Sequence, residues 1–81
     1  MLGKKHPSTA TTYNNIAGVY QDQGEYELAL DLYKISLIIM LQSLGPTHQN
    51  TLTVLENMKY AFDSSNQKIS FDEFLSSFLS K

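Results

Sequence analysis

Apolar residues between positions 11 and 44 recur at intervals of three and four, the spacing that aligns side chains along one face of an α-helix. The pattern is interrupted once, at Gly24, where a short polar stretch precedes a residue that tolerates the backbone conformation ending a helix. The pattern therefore predicts helices over about residues 7–22 and 25–44. Because the connection is so short, the two helices must run antiparallel, as a helical hairpin.

The second half of the chain repeats the first at an offset of 42 residues. The pairs that recur include Leu2 with Leu44, Gly3 with Gly45, His6 with His48, Asn15 with Asn57, and Tyr20 with the aromatic Phe62. The repetition predicts a third helix over about residues 47–62. A single helical hairpin buries only part of its apolar surface, so the two units are expected to stack.

The end of the chain departs from the repeat. Ser70 and Glu73 match a capping box, in which the hydroxyl and the carboxylate each accept a hydrogen bond from the other residue's backbone N–H. Phe71, Phe74 and Phe78 then follow at helical spacing. We expect a fourth helix that packs differently from the second and caps the array.

These patterns together resemble a tetratricopeptide repeat. In the family's pattern, the first helix has a bulky residue, then a large residue followed by a small one, and then an aromatic residue. The turn has a glycine followed by an aromatic residue, and the second helix has a small, an aromatic and a second small residue. The matching residues are Tyr13, Ile16, Ala17, Tyr20, Gly24, Tyr26, Ala29, Tyr33 and Ser36. The dipeptides Leu-Gly, His-Pro and Asn-Asn at residues 2–3, 6–7 and 14–15 are similar to the longer variant found in kinesin light chains.

The resemblance implies an all-α fold of antiparallel helical hairpins with four helices in one domain, residues 1–81. Residues 1–45 form the well-matched repeat, and residues 46–81 form a degenerate repeat that ends in the capping helix. The resemblance also implies a non-catalytic module or small scaffold for protein–protein interaction, with a protein or peptide as partner.

In the family that this chain resembles, the first helix of each hairpin lines a concave groove where asparagine side chains bond the backbone of an extended peptide. The positions implied here are Thr11, Asn14, Asn15, Gly18, Gln21 and Asn57. A structural alternative stays open, in which Asn15 and Asn57 only bridge neighbouring helices of the stack.

The second helix carries unusual apolar residues on its expected outer surface. Ile35, Ile38, Met40 and Leu41 lie where related repeats carry polar residues. Exposed apolar patches of this kind mark contact surfaces. A second hypothesis is therefore a homodimer, in which these residues and the tail residues Phe71, Phe74 and Phe78 form a self-association or capping surface.

Lys59 replaces the small residue expected at the equivalent of Ala17 in the third helix. An unpaired ammonium group is expensive to bury where two helices approach closely. We therefore expect this helix to be poorly suited to a standard partner hairpin.

The composition of the chain mainly excludes classes of function. The net charge of −2 is not the basic charge expected of a protein that binds nucleic acid or an anionic membrane. Because the chain has no cysteine, it has no disulfide, no thiolate metal ligand and no thiol nucleophile. The longest apolar run, residues 37–41, is too short to cross a bilayer. No catalytic or phosphate-binding motif is present, so we expect a cytoplasmic, non-enzymatic protein without metal or cofactor.

The tail also weakly resembles a degenerate EF-hand, a calcium-binding loop. Such a loop needs oxygen ligands at positions one, three and five, a glycine at six and a glutamate at twelve. With Glu73 at twelve, position one falls on Phe62, and with Asp63 at one, position twelve falls on Phe74. A vestigial calcium site is therefore a third hypothesis, and a capped helix without metal is the expected outcome.

Overall fold

The computed structural model describes residues 6–79, which fold into four α-helices. The helices are α1 (Pro7–Asp22), α2 (Tyr26–Leu44), α3 (Gln49–Ser64) and α4 (Phe71–Leu79). The predicted all-α fold is confirmed for this part of the chain. The bounds of α1 match the prediction, α2 begins one residue later, and α3 lies two residues further along.

The hairpin of α1 and α2 is held together by small residues at its centre. Ala10 and Ala17 of α1 and Ala29 of α2 are fully buried, so the two helices approach closely. The turn between them places Gly24 at a φ of 81°, a left-handed conformation that only glycine adopts without strain. α2 continues the stack because α3 packs against it as well.

α1 and α3 begin with the same capping contact. The Nδ1 atom of His6 accepts a hydrogen bond from the backbone N–H of Ser8 at 3.0 Å, and Nδ1 of His48 accepts one from Asn50 at 3.1 Å. Each imidazole therefore satisfies one of the backbone donors that a helix start leaves unpaired. The shared contact agrees with the pairing of His6 and His48 in the 42-residue repeat.

Lys59, the 42-residue equivalent of Ala17, lies beside α4. It is exposed, its ammonium group lies 3.3 Å from the carboxylate of Asp63, and it sits 5.6 Å from the ring centroid of Phe71. The neighbouring residue Met58 belongs to the buried residues of α3. α3 therefore packs without burying the charge of Lys59.

α4 packs through aromatic rings. The ring of Phe62 on α3 lies 5.4 Å from that of Phe71 and 5.0 Å from that of Phe74, measured between centroids. The ammonium group of Lys34 on α2 lies 5.0 Å from the Phe74 centroid and 5.5 Å from the Phe78 centroid. Because Phe74 is buried between α2 and α3, α4 closes this end of the described structure.

The start of α4 has the predicted capping box. The backbone N–H of Glu73 donates to the hydroxyl of Ser70 at 3.1 Å, and the backbone N–H of Ser70 donates to the carboxylate of Glu73 at the same distance. Residues 65–70 connect α3 to α4, whereas residues 23–25 connect α1 to α2. Phe71, the 42-residue equivalent of Ala29, is therefore the first residue of α4, whereas Ala29 is the fourth residue of α2.

The outer face of α2 differs in part from the prediction. Met40 is buried, with 2% of its surface exposed, so placing it on a self-association surface is wrong. Ile38 and Leu41 are half-buried, while Ile35 and Leu28 are 41% and 48% exposed. The helical twist explains the difference, because Met40 lies on the stripe that faces α1 and α3. Within residues 6–79, no helix is both long and apolar enough to span a bilayer.

Candidate functional site

A polar groove runs along α1 on the side where α1 meets α3. One cavity, of about 360 Å³, is lined by Asn14, Asn15, Gly18, Val19, Gln21, Asp22, Tyr33 and Asn57. A second, of about 340 Å³, is lined by Thr11, Asn14, Met40, Asn50, Thr53 and Val54. Asn14 lines both, so the two cavities are neighbours, and together they are named the first-helix groove.

Helical geometry places the α1 residues on this groove. Thr11, Asn14, Gly18 and Gln21 are three or four positions apart and so form one stripe of α1. Gly18 leaves the floor of the groove open. A Cβ atom at that position would lie 3.9 Å from the hydroxyl of Tyr33, an ordinary contact distance.

A pair of amide side chains joins the two repeats at the middle of the groove. The Nδ2 group of Asn57 donates a hydrogen bond to Oδ1 of Asn14 at 3.3 Å, in a partly buried position. This bond uses one amide atom of each residue. The remaining donor of Asn14 and acceptor of Asn57 stay next to the groove, as a complementary pair for a peptide group.

A hydrogen bond from Tyr33 fixes the side-chain amide of Gln21 at the hairpin end of the groove. The hydroxyl of Tyr33, whose side chain is buried, donates to Oε1 of Gln21 at 2.7 Å. Burial raises the pKa of the Tyr33 hydroxyl, and the negative charge of Asp22 raises it further. The hydroxyl therefore stays protonated as a donor, and the amide nitrogen of Gln21 is left for other partners.

The structure brings all six predicted groove residues to these two cavities. Asn15 is exposed and Asn57 makes the bridge to Asn14, so the bridging alternative describes Asn57 and not Asn15. Sequence reasoning missed several lining residues, namely Val19, Asp22, Tyr33, Met40, Asn50, Thr53 and Val54. Thr53 could have been found, since it is the 42-residue equivalent of Thr11.

The groove is an arrangement of hydrogen-bonding groups rather than of reactive ones. Its walls contribute amides, threonine hydroxyls and one carboxylate, that of Asp22. Across the part of the chain that the structure describes, no group of three or more His, Asp or Glu residues is placed to hold a metal ion. The groove is suited to binding the polar backbone of another chain.

The fold and the groove define the class of protein, a repeat protein built from antiparallel helical hairpins. The family model described as tetratricopeptide repeat matches residues 2–68, and the chain belongs to the tetratricopeptide repeat family. Repeats of this family are interaction modules for proteins and are typically non-catalytic. No curated protein and no solved structure matches the chain at a significant level.

Proposed function

We propose that the chain is a non-catalytic docking module that binds an extended peptide segment of a protein partner in the first-helix groove. The observation that carries the proposal is the convergence of amide side chains on two neighbouring cavities, where Asn57 holds Asn14 and Tyr33 holds Gln21. Groups that are already positioned lose less conformational freedom when a ligand binds. The expected ligand contact is to the peptide backbone.

The partner-binding role of Asn15 is the part of this proposal that a single substitution tests most directly. Asn15 lines the groove and its side chain is exposed, so replacing it leaves the core and the Asn14 to Asn57 bond intact. Gln42 is an exposed amide on α2 that lines neither cavity, so it provides a matched control.

The test begins with selection from a displayed library of random 12-residue peptides on the immobilised chain. Calorimetry then measures the enriched peptide against the unmodified chain, Asn15→Ala and Gln42→Ala. We expect Asn15→Ala to weaken binding by about tenfold, equivalent to about 1.4 kcal/mol, and Gln42→Ala to leave it unchanged. No enriched peptide, or equal affinities for both variants, would contradict the proposal.

A homodimer is the second candidate, favoured by two exposed apolar side chains on α2. Leu28 and Ile35 are seven positions apart, so they lie on the same face of the helix. Light scattering across a concentration series tests this candidate. A doubled mass that Ile35→Glu returns to the single-chain value supports the dimer, and a constant single-chain mass rejects it.

Calcium binding by the tail is the least supported candidate. The Glu73 carboxylate, which would be the bidentate ligand of such a loop, accepts the backbone N–H of Ser70 as part of the capping box. Melting midpoints measured with millimolar calcium and with chelator test the candidate. Equal midpoints would dismiss it.

The kinesin-light-chain-like variant and a cytoplasmic location also stay proposals. The 42-residue offset exceeds the 34 residues of the common repeat, which supports the longer variant. Within it, we assign residues 1–45 to one repeat and residues 46–81 to a degenerate second repeat with its capping helix.

A further inference from the structure

The groove-facing residues of the two repeats occupy equivalent positions but differ in chemistry. Those of α1 are uncharged, namely Thr11, Asn14, Gly18 and Gln21. Their equivalents on α3, at the 42-residue offset, are Thr53, Glu56, Tyr60 and Asp63. Two amides and a glycine are thus replaced by two carboxylates and an aromatic ring. The second repeat therefore adds negative charge and an aromatic surface to this face.

Helical geometry places Glu56 and Tyr60 at the rim of the first-helix groove. Thr53 and Asn57 of the same helix line its two cavities. Tyr60 lies seven residues after Thr53 and four after Glu56, so these three side chains share one face of α3. Asn57 is turned toward α1, because it bonds Asn14, and the rim residues lie on the other side of this face. A peptide that crosses from α1 to α3 passes Asn57 first and Tyr60 next.

Both rim side chains are available to a ligand. Tyr60 is 65% exposed, and Glu56 is exposed as well. Within residues 6–79, the Tyr60 ring contacts no other aromatic ring and no lysine, and Glu56 forms no ion pair. Side chains four positions apart on a helix have Cβ atoms about 6 Å apart. One cationic group can therefore contact the ring and the carboxylate together.

The described lysines leave the negative charge of the groove uncompensated. Lys34 lies over the aromatic rings of α4, and the ammonium group of Lys59 pairs with Asp63. Lys68 belongs to the connection between α3 and α4. None of the three lines either cavity, whereas Asp22 does and adds a second carboxylate to that of the rim. The groove is therefore complementary to a positively charged ligand.

We propose that the peptide bound in the first-helix groove is basic and places an arginine side chain against the ring of Tyr60 and the carboxylate of Glu56. A guanidinium group stacks on an aromatic face while its N–H groups donate to a carboxylate, so one side chain satisfies both rim residues. An acidic peptide would be repelled by Asp22 and Glu56. This inference rests on the proposed peptide binding and adds the charge of the peptide to it.

Three displayed peptide libraries test the charge of the ligand. Each holds 12-residue peptides with random uncharged residues around a central position, which is fixed as arginine, glutamine or glutamate. Each library is selected separately on the immobilised chain. We expect the strongest enrichment from the arginine library and the weakest from the glutamate library. Equal enrichment from all three would overturn the inference.

Calorimetry then locates the contact. The enriched arginine peptide, and the same peptide with glutamine in place of the arginine, are titrated into the unmodified chain and three variants, Glu56→Gln, Tyr60→Leu and Glu27→Gln. We expect Glu56→Gln and Tyr60→Leu each to weaken binding of the arginine peptide by about three- to fivefold and to change binding of the glutamine peptide much less. Glu27→Gln removes the same charge from α2, outside both cavities, and should have no effect.

Asn15→Ala, titrated alongside, separates this inference from the function on which it rests. Circular dichroism checks that the variants are folded, as their exposed positions lead us to expect. Binding that falls in Asn15→Ala but not in Glu56→Gln or Tyr60→Leu overturns the arginine contact and leaves peptide binding in the groove standing. A lack of enrichment from every library overturns both.

Discussion

The hydroxyl of Ser36 donates a hydrogen bond of 2.7 Å to the backbone carbonyl oxygen of Ala10, and both residues are completely buried. This contact joins the middle of α2 to the first turns of α1. A larger side chain at either position would push the helices apart. The small residues of the repeat pattern thus act as a pair across the hairpin.

Replacing Ser36 tests this pairing. Ser36→Ala removes one hydrogen bond and is expected to lower the free energy of unfolding by about 1 kcal/mol. Ser36→Val keeps a side chain of similar reach but adds bulk to a filled site, so we expect a loss of about 1–3 kcal/mol. Urea unfolding followed by circular dichroism measures both. A Val variant as stable as the Ala variant would show that the site has spare room.

Tyr33 makes the stability of the fold sensitive to alkaline pH. Its pKa is raised in the folded state, first by burial and then by the charge of Asp22. The unfolded chain therefore loses this proton at a lower pH than the folded chain does. The stabilisation is complete below the ordinary tyrosine pKa of about 10 and is lost as pH rises through the higher folded value.

Tyr33→Phe is accordingly expected to make the free energy of unfolding fall less steeply above a pH of about 10. At neutral pH the same variant is expected to be less stable by about 1 kcal/mol, because it loses the hydrogen bond to Gln21. Tyr60→Phe is the control, since Tyr60 is 65% exposed. Unfolding curves at a series of pH values compare the two. Identical slopes for both variants would contradict the assignment.

The two turns that end α1 and α3 share a left-handed residue at equivalent positions. Gly24 has a φ of 81°, and Asn66, which lies 42 residues later, has a φ of 60°. Gly24→Ala is expected to cost about 1–2 kcal/mol, because a Cβ atom strains this conformation. Gly18→Ala, inside α1, is expected instead to stabilise the chain by about 0.5–1 kcal/mol. Thermal melts of the two variants should shift in opposite directions.

The sequence predicted the features that depend on local spacing. The hairpin, the bounds of α1 and the capping box of Ser70 and Glu73 all follow from periodicity and terminal residues within a few positions. The groove residues on α1 followed instead from the resemblance to the repeat family, and four of them, Thr11, Asn14, Gly18 and Gln21, also share one helical stripe.

Features that depend on packing between elements were harder to predict. The sequence indicated that Lys59 makes α3 poorly suited to a standard partner hairpin, but not that its ammonium group would lie against Asp63 and Phe71. Met40 was assigned to the outer surface, although it lines the cleft between α1 and α3. Both outcomes depend on how the helices are rotated about their axes when they pack, which a single-helix pattern does not contain.

The last prediction concerns the aromatic cap. Phe74 is 8% exposed and its ring contacts those of Phe62, Phe71 and Phe78 at centroid distances of 5.0, 6.2 and 5.5 Å. Phe74→Ala removes the central member of this cluster, so we expect a loss of about 3 kcal/mol and rapid hydrogen exchange throughout α4. Leu79→Ala, at a position 39% exposed, should change stability by less than about 0.5 kcal/mol.

The amide exchange pattern separates two roles for the cap. If α4 only covers the end of the stack, exchange in α1 stays slow in Phe74→Ala, because α1 packs against α2 and α3. Equal acceleration of exchange in α1 and α4 would show instead that the cap is needed for the whole domain to fold. Phe74→Leu, which keeps an apolar side chain at the centre of the cluster, should restore most of the lost stability in the first case.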